Sequence, residues 1–137
     1  MNSGAAKSNT LARACEIVPD AVAADIFSAP RSRLGGGIGV AALVGIALAW
    51  RDTNRRAGLP PHVVLVVSPA QVLLFEAHRT LGTWQVGRRV HEFARGNHAV
   101  SVKEPYTLVL RIGGTDVEFS ATEPSADTRD VVRLAAS

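Results

Sequence analysis

Residues 106–121 read YTLVLRIGGTDVEFSA, and the period of this stretch decides the fold. Tyr106, Leu108, Leu110 and Ile112 alternate with Thr107 and Arg111, and Val117 and Phe119 alternate with Asp116 and Glu118. Strict alternation of apolar and polar residues is the pattern of a strand with one face buried. Between the two halves stands Gly113-Gly114. A two-residue hairpin turn needs positive φ at both central positions, which glycine supplies at no steric cost. The stretch is therefore a β-hairpin with Leu108, Leu110, Val117 and Phe119 facing inward.

The same period continues upstream. His98–Lys103 places Val100 and Val102 on one face, and Glu104-Pro105 ends it. Thr83–Phe93 is interrupted by Gly87-Arg88-Arg89, so it reads as one bulged strand or two short ones. Val72–Arg79 is rich in Leu and Phe. His62–Ser68 is nearly all apolar, and Ser68-Pro69-Ala70-Gln71 turns the chain between the two. Six strand candidates thus follow the double proline Pro60-Pro61, which marks a boundary. Downstream of the hairpin, Glu123–Ala136 takes a helical period, with Thr122 or Ser125 as cap and Val131, Leu134 and Ala135 as its apolar face. The expected architecture is α+β: an antiparallel β roll of six to seven strands, closed by a C-terminal helix.

The N-terminal third is different. Residues 1–9 are small and polar and lack the apolar core of a secretory signal, so the protein is expected in the cytoplasm or on the cytoplasmic face of a membrane. Leu11, Cys15 and Val18 suggest a short helix capped by Thr10. Val22 and Ile26, with Phe27 beside them, suggest a second short helix that ends at Ala29-Pro30. Residues 34–50, LGGGIGVAALVGIALAW, contain no charge and lie between Arg33 and Arg51. As a helix they span about 25 Å, a little short of a ~30 Å hydrocarbon core. Gly37, Ala41, Gly45 and Ala49 recur at every fourth position and form one smooth ribbon, a pattern that lets helices approach closely. Trp50 sits at the end, where an interfacial aromatic belongs, followed by Arg51, Arg55 and Arg56. Two readings follow: a membrane-associated helix, or a helix buried against the sheet. The domain plan is 1–33, a polar tail and short amphipathic helices; 34–57, the apolar helix and basic connector; and 58–137, the β domain.

Composition excludes several classes. A chain of 137 residues holds one ordinary domain with extensions. With 47% hydrophobic and 20% charged residues it is not a mainly disordered chain. One cysteine, Cys15, allows no intrachain disulfide. The net charge of +3 lies wholly in residues 1–56, and residues 57–137 are neutral. A neutral folded part argues against nucleic acid as partner. His62, His78, His91 and His98 show no metal-ligand spacing, and Glu76, Glu92 and Glu104 form no evident acid–base pair. Gly37-Ile38-Gly39-Val40-Ala41-Ala42 matches a dinucleotide fingerprint in form, yet Ser32-Arg33-Leu34-Gly35-Gly36 before it is no strand. The sequence therefore implies no cofactor and no metal. Arg88-Arg89, near Trp84, is the best basic candidate on the sheet, either for phosphate head groups or an acidic partner, or as charge that guards a strand edge.

The stretch Val63–Ala77, VVLVVSPAQVLLFEA, with GTWQVGR (Gly82–Arg88), the 106–121 hairpin and the closing helix, resembles a bacterial pleckstrin-homology-like domain over about 59–137. The whole chain resembles small actinobacterial proteins that carry a Gly/Ala-rich apolar segment before such a domain. The resemblance implies a non-catalytic module for lipid, peptide or protein contact. It departs from the family in one respect: the superfold has seven strands, and only a split of 83–93 brings six to seven. No Lys or Arg stands in the Ser68–Gln71 turn, where a phosphoinositide motif is looked for. The expectation is a membrane-associated interaction module that binds an anionic lipid surface or an unknown protein. The alternative is a soluble binding domain, monomeric or homo-oligomeric, with the Gly-rich helix buried on the sheet.

Overall fold

The seven strands come from a different place than the sequence suggests. The computed structural model describes residues 12–29 and 58–137. In it Ala23–Ser28 is a strand, β1, and not the second amphipathic helix. The apolar spacing of Val22, Ile26 and Phe27 fits a helix, but Ala24 and Ile26 are buried on one side and Phe27 on the other. A segment buried on two faces has no amphipathic period to read. β1 is followed by β2 (His62–Val67), β3 (Gln71–Thr80), β4 (Thr83–Ala94), β5 (Val100–Glu104), β6 (Thr107–Ile112) and β7 (Thr115–Ala121). Thr83–Ala94 is thus one long strand. It meets β3 through register shifts on either side of Phe75.

All neighbours are antiparallel, in the order β4-β3-β2-β1-β7-β6-β5. The sheet is two meanders joined through β1. β1 pairs with β2 along all six of its residues, from Ala23↔Val67 to Ser28↔His62. It pairs with β7 only at Phe27↔Ala121 and Ser28↔Ser120. At this corner the side chains form a polar chain: Ser28 Oγ lies 2.7 Å from His62 Nδ1 and 2.6 Å from Thr122 Oγ1.

The β6–β7 and β2–β3 turns are as their residue types demand, whereas Leu81 and His98 take positive φ, at 53° and 63°, without being glycine. Gly113 and Gly114 both take positive φ, at 56° and 81°, as a two-residue hairpin link requires. Ser68 closes the β2–β3 turn, its N–H donating to Gln71 O at 2.8 Å. The C-terminal helix, Ala126–Ala136, has Ser125 as its N-cap, and the Ser125 N–H donates to Thr128 Oγ1 at 3.0 Å. This helix lies over the inner side of the sheet, against β5, β1, β2 and β6. Its buried residues are Thr128, Val131, Val132 and Ala135.

Two apolar clusters result, one on each side of β1–β3. The inner one joins Phe27, Val63, Leu65, Val67, Val72 and Leu74 to Leu108, Leu110, Val117 and Phe119 of the second meander and to the helix. The outer one contains Ala24, Ile26, Val64, Val66, Leu73, Phe75, Ala77 and Trp84 from the sheet, with Ala14 and Val18 across from them. Residues 12–17 are helical, as expected, but turn Ala14 and Val18 inward and leave Cys15 exposed. Burial on both faces explains the unbroken apolar run of β2.

Candidate functional site

Of the residues singled out from sequence, Gly37, Ala41, Gly45, Ala49, Trp50, Arg51, Arg55 and Arg56 lie outside the described residues. Arg88 and Arg89 are on β4, exposed, beside the irregular pairing with β3. They are not a free basic patch. Arg88 Nε lies 3.0 Å from Glu76 Oε1 on β3, and Arg89 Nη1 lies 3.5 Å from Glu92 Oε2 on its own strand. His78 Nε2 stands 3.8 Å from the other oxygen of Glu76. Gly87 makes the crowding possible: a Cβ there would stand 2.9 Å from Glu76 Cβ. With each arginine already beside a carboxylate, the arrangement matches a charged strand edge that resists pairing. Arg88 and Arg89 do line a shallow hollow of about 290 Å³ with Gly58, Leu59, Val90 and Ile112.

A second hollow, of about 540 Å³, opens between residues 12–16 and the start of β4. It is bordered by Arg13 and Glu16 on one wall and by Trp84 and Val86 on the other. The Arg79 guanidinium stands 5.7 Å from the centre of the Trp84 ring, a cation–π distance. One charge of each sign on the same wall gives this hollow no clear preference for ligand charge.

The third hollow is the one with a consistent character. It is a groove of about 490 Å³ between β5 and the C-terminal helix. Its floor is Val102, Pro105 and Val132. Val132 is buried, whereas Val102 is 48% exposed, one of the few large apolar side chains left open to solvent. Arg129 and Arg133, one turn apart on the helix, form the wall. Arg129 stands 5.7 Å above the Tyr106 ring. Lys103 and Glu104 form the rim on β5, and Lys103 Nζ is bound to Glu118 Oε2 at 3.0 Å.

The sequence signal for this groove is thin. Val102 reads as an inward residue like Val100, and only the tertiary placement of the helix shows that the helix stops short of covering it. Arg129 and Arg133 read as the solvated face of an amphipathic helix. Among the described residues no three His, Cys, Asp or Glu side chains gather as metal ligands. Nor is any described helix long and apolar enough to cross a membrane. No family model, no curated protein and no solved structure matches this chain.

Proposed function

We propose that this chain is a non-catalytic interaction module of the pleckstrin-homology-like kind, and that it meets a protein partner in the groove between β5 and the C-terminal helix. The strand order supports the first part: two antiparallel meanders share β1, and a helix lies across the sheet. The observation that carries the second part is Val102, a half-exposed valine on an edge strand beside two arginines of the helix. An apolar floor with a polar rim is the anatomy of a protein contact.

A photo-crosslinking residue at position 102 of the full chain, in the cells that make it, tests this. The expected result is a discrete protein adduct that is lost when Arg129 and Arg133 are both changed to Glu. The same probe at Leu81, a fully exposed hairpin tip, serves as control. No adduct at 102, or equal adducts at both positions, overturns the reading.

The apolar run 34–50 carries a second proposal, in two forms: contact with an anionic lipid surface through Arg33, Arg51, Arg55 and Arg56, or packing against the sheet. What supports packing is the outer cluster, an apolar face of eight sheet residues against which Ala14 and Val18 lie, since a face of this kind is covered by an apolar helix in layered folds.

A further inference from the structure

The hollow between residues 12–16 and the start of β4 has a ligand chemistry of its own, independent of the interaction-module reading. We propose that it binds a small zwitterion, a free α-amino acid with an aliphatic side chain.

Charge is the first observation. Residues 12–17 are helical, and Arg13 and Glu16 both border the hollow from that helix. Side chains at this i,i+3 spacing share one helix face. They do not neutralise each other: no ion pair engages either of them among the described residues. Their order, base before acid, is also the weaker one for such a pair. The hollow thus favours neither net charge but holds two opposite charges side by side. An α-amino acid matches this, because its carboxylate and its ammonium are joined through one carbon. The planar fork of Arg13 would take the carboxylate in two parallel hydrogen bonds, and Glu16 would accept from the ammonium. A dicarboxylate would bring its second charge against Glu16, and a diamine would bring one against Arg13.

The facing wall is the second observation. Trp84 and Val86 alternate with Thr83 and Gln85 on β4, so the two apolar side chains share one side of the strand. Trp84 is held in place. The Arg79 guanidinium stands 5.7 Å from its ring centre, and the His62 ring stands 5.4 Å from it, tilted. A wall fixed before the ligand arrives has less freedom to lose on binding. Val86 is half-buried, and with Ala12 it offers apolar surface to an aliphatic side chain. Size is the third. The volume of about 540 Å³ falls within the roughly 300–1,000 Å³ of small-molecule sites. Both charges are exposed, so the expected affinity is weak, with a Kd on the order of 1 mM.

The test uses the full chain carrying Trp50→Phe, which leaves Trp84 as the sole tryptophan. Three probes are compared: L-leucine, N-acetyl-L-leucine, which lacks the ammonium, and L-leucinamide, which lacks the carboxylate. Saturation-transfer NMR reads the affinity of each probe, and Trp84 emission reads where it binds. Leucine is expected to give both signals. Each derivative is expected to bind at least about tenfold more weakly, the loss that 1.4 kcal/mol corresponds to. Arg13→Gln should remove the preference for leucine over leucinamide and keep that over N-acetyl-leucine. Glu16→Gln should do the reverse. Both positions are exposed, and an unchanged melting curve shows that the variants fold. Equal binding of the three probes means that the hollow takes an apolar side chain alone, and it overturns the proposal. So does the absence of a leucine signal at about 10 mM, tenfold above the expected Kd. A leucine signal that leaves Trp84 emission unchanged, or an affinity that neither variant alters, places binding elsewhere and overturns it too. None of these outcomes touches the interaction-module reading, which stands or falls on the adduct at position 102.

Discussion

Asp25 is a carboxylate in the wrong place for a surface residue. It is 1% exposed, in the middle of β1, opposite Leu65 and on the side of the inner apolar cluster. A buried carboxylate is costly unless its oxygens are bonded. Oδ2 accepts from Thr128 Oγ1 at 2.7 Å, and Oδ1 accepts from the Ile26 N–H at 2.8 Å. Thr128 Oγ1 in turn accepts from the Ser125 N–H at the helix N-cap. A negative group beside the first turn of a helix is also favoured by the helix dipole. Asp25 thus ties β1 to the start of the closing helix, across 103 positions of sequence. Asp25→Ala is expected to lower stability by about 2 kcal/mol, the cost of leaving buried polar partners unmet. Asp25→Asn, which keeps an acceptor, should cost less. Urea unfolding of both variants checks this. A double-mutant cycle with Thr128→Val should show coupling, because the two side chains share one bond.

At the scale of elements, β1 holds the sheet together. It is the only strand of the described residues that belongs to both meanders, through six pairs with β2 and two with β7. Phe27 and Ile26 fill opposite clusters and contribute about 1.5–3 kcal/mol each by burial. A fragment of residues 58–137 keeps six strands and the helix but lacks this bridge. It is expected to unfold without cooperativity or to aggregate through the bared edges of β2 and β7. A cooperative thermal transition by circular dichroism in that fragment would contradict the role given to β1. The element also shows what was legible in the sequence. The 106–121 hairpin was, since each of its strands has one buried face and its turn needs two glycines. The C-terminal helix was, through its cap and its period. β1 was not, since a strand buried on both faces in the middle of a sheet carries no alternation. Val102 and the arginines of the groove were not either, since their meaning depends on where the helix ends relative to β5. The Arg88-Arg89 pair was visible as charge, and Glu92 stands three residues from Arg89 on the same strand, but Glu76 reaches Arg88 through a β3–β4 register that sequence spacing does not reveal.

For the whole molecule, the sheet limits what the apolar run 34–50 can do. The chain leaves β1 at Ala29 and rejoins β2 after Pro61, and the Ala29 N–H donates to Pro61 O at 2.8 Å. A single crossing of a bilayer between these residues would put β1 and β2 on opposite sides of the membrane, although they pair along six positions. A single-pass span of 34–50 is therefore incompatible with the β1–β2 pairing. Seventeen residues are also too few for two crossings, which need about 40. The two forms proposed above, contact with a lipid surface or with the sheet, both leave β1 and β2 on one side. The proposal that it packs on the outer cluster makes a prediction read by one fluorophore. The chain has two tryptophans, Trp50 and Trp84, so Trp50→Phe leaves Trp84 as sole reporter of the outer face. Trp84 is 5% exposed, and acrylamide should quench it poorly. Replacing 36–48 by a Gly-Ser chain of equal length, within the full protein, should raise that quenching severalfold and lower the urea midpoint. Should that variant not fold, Ile46→Asp alone is expected to move both readings in the same direction. Unchanged quenching and an unchanged midpoint, together with flotation of the parent protein on phosphatidylglycerol vesicles, would return the run to the membrane surface, where the arginines around it would meet lipid phosphates.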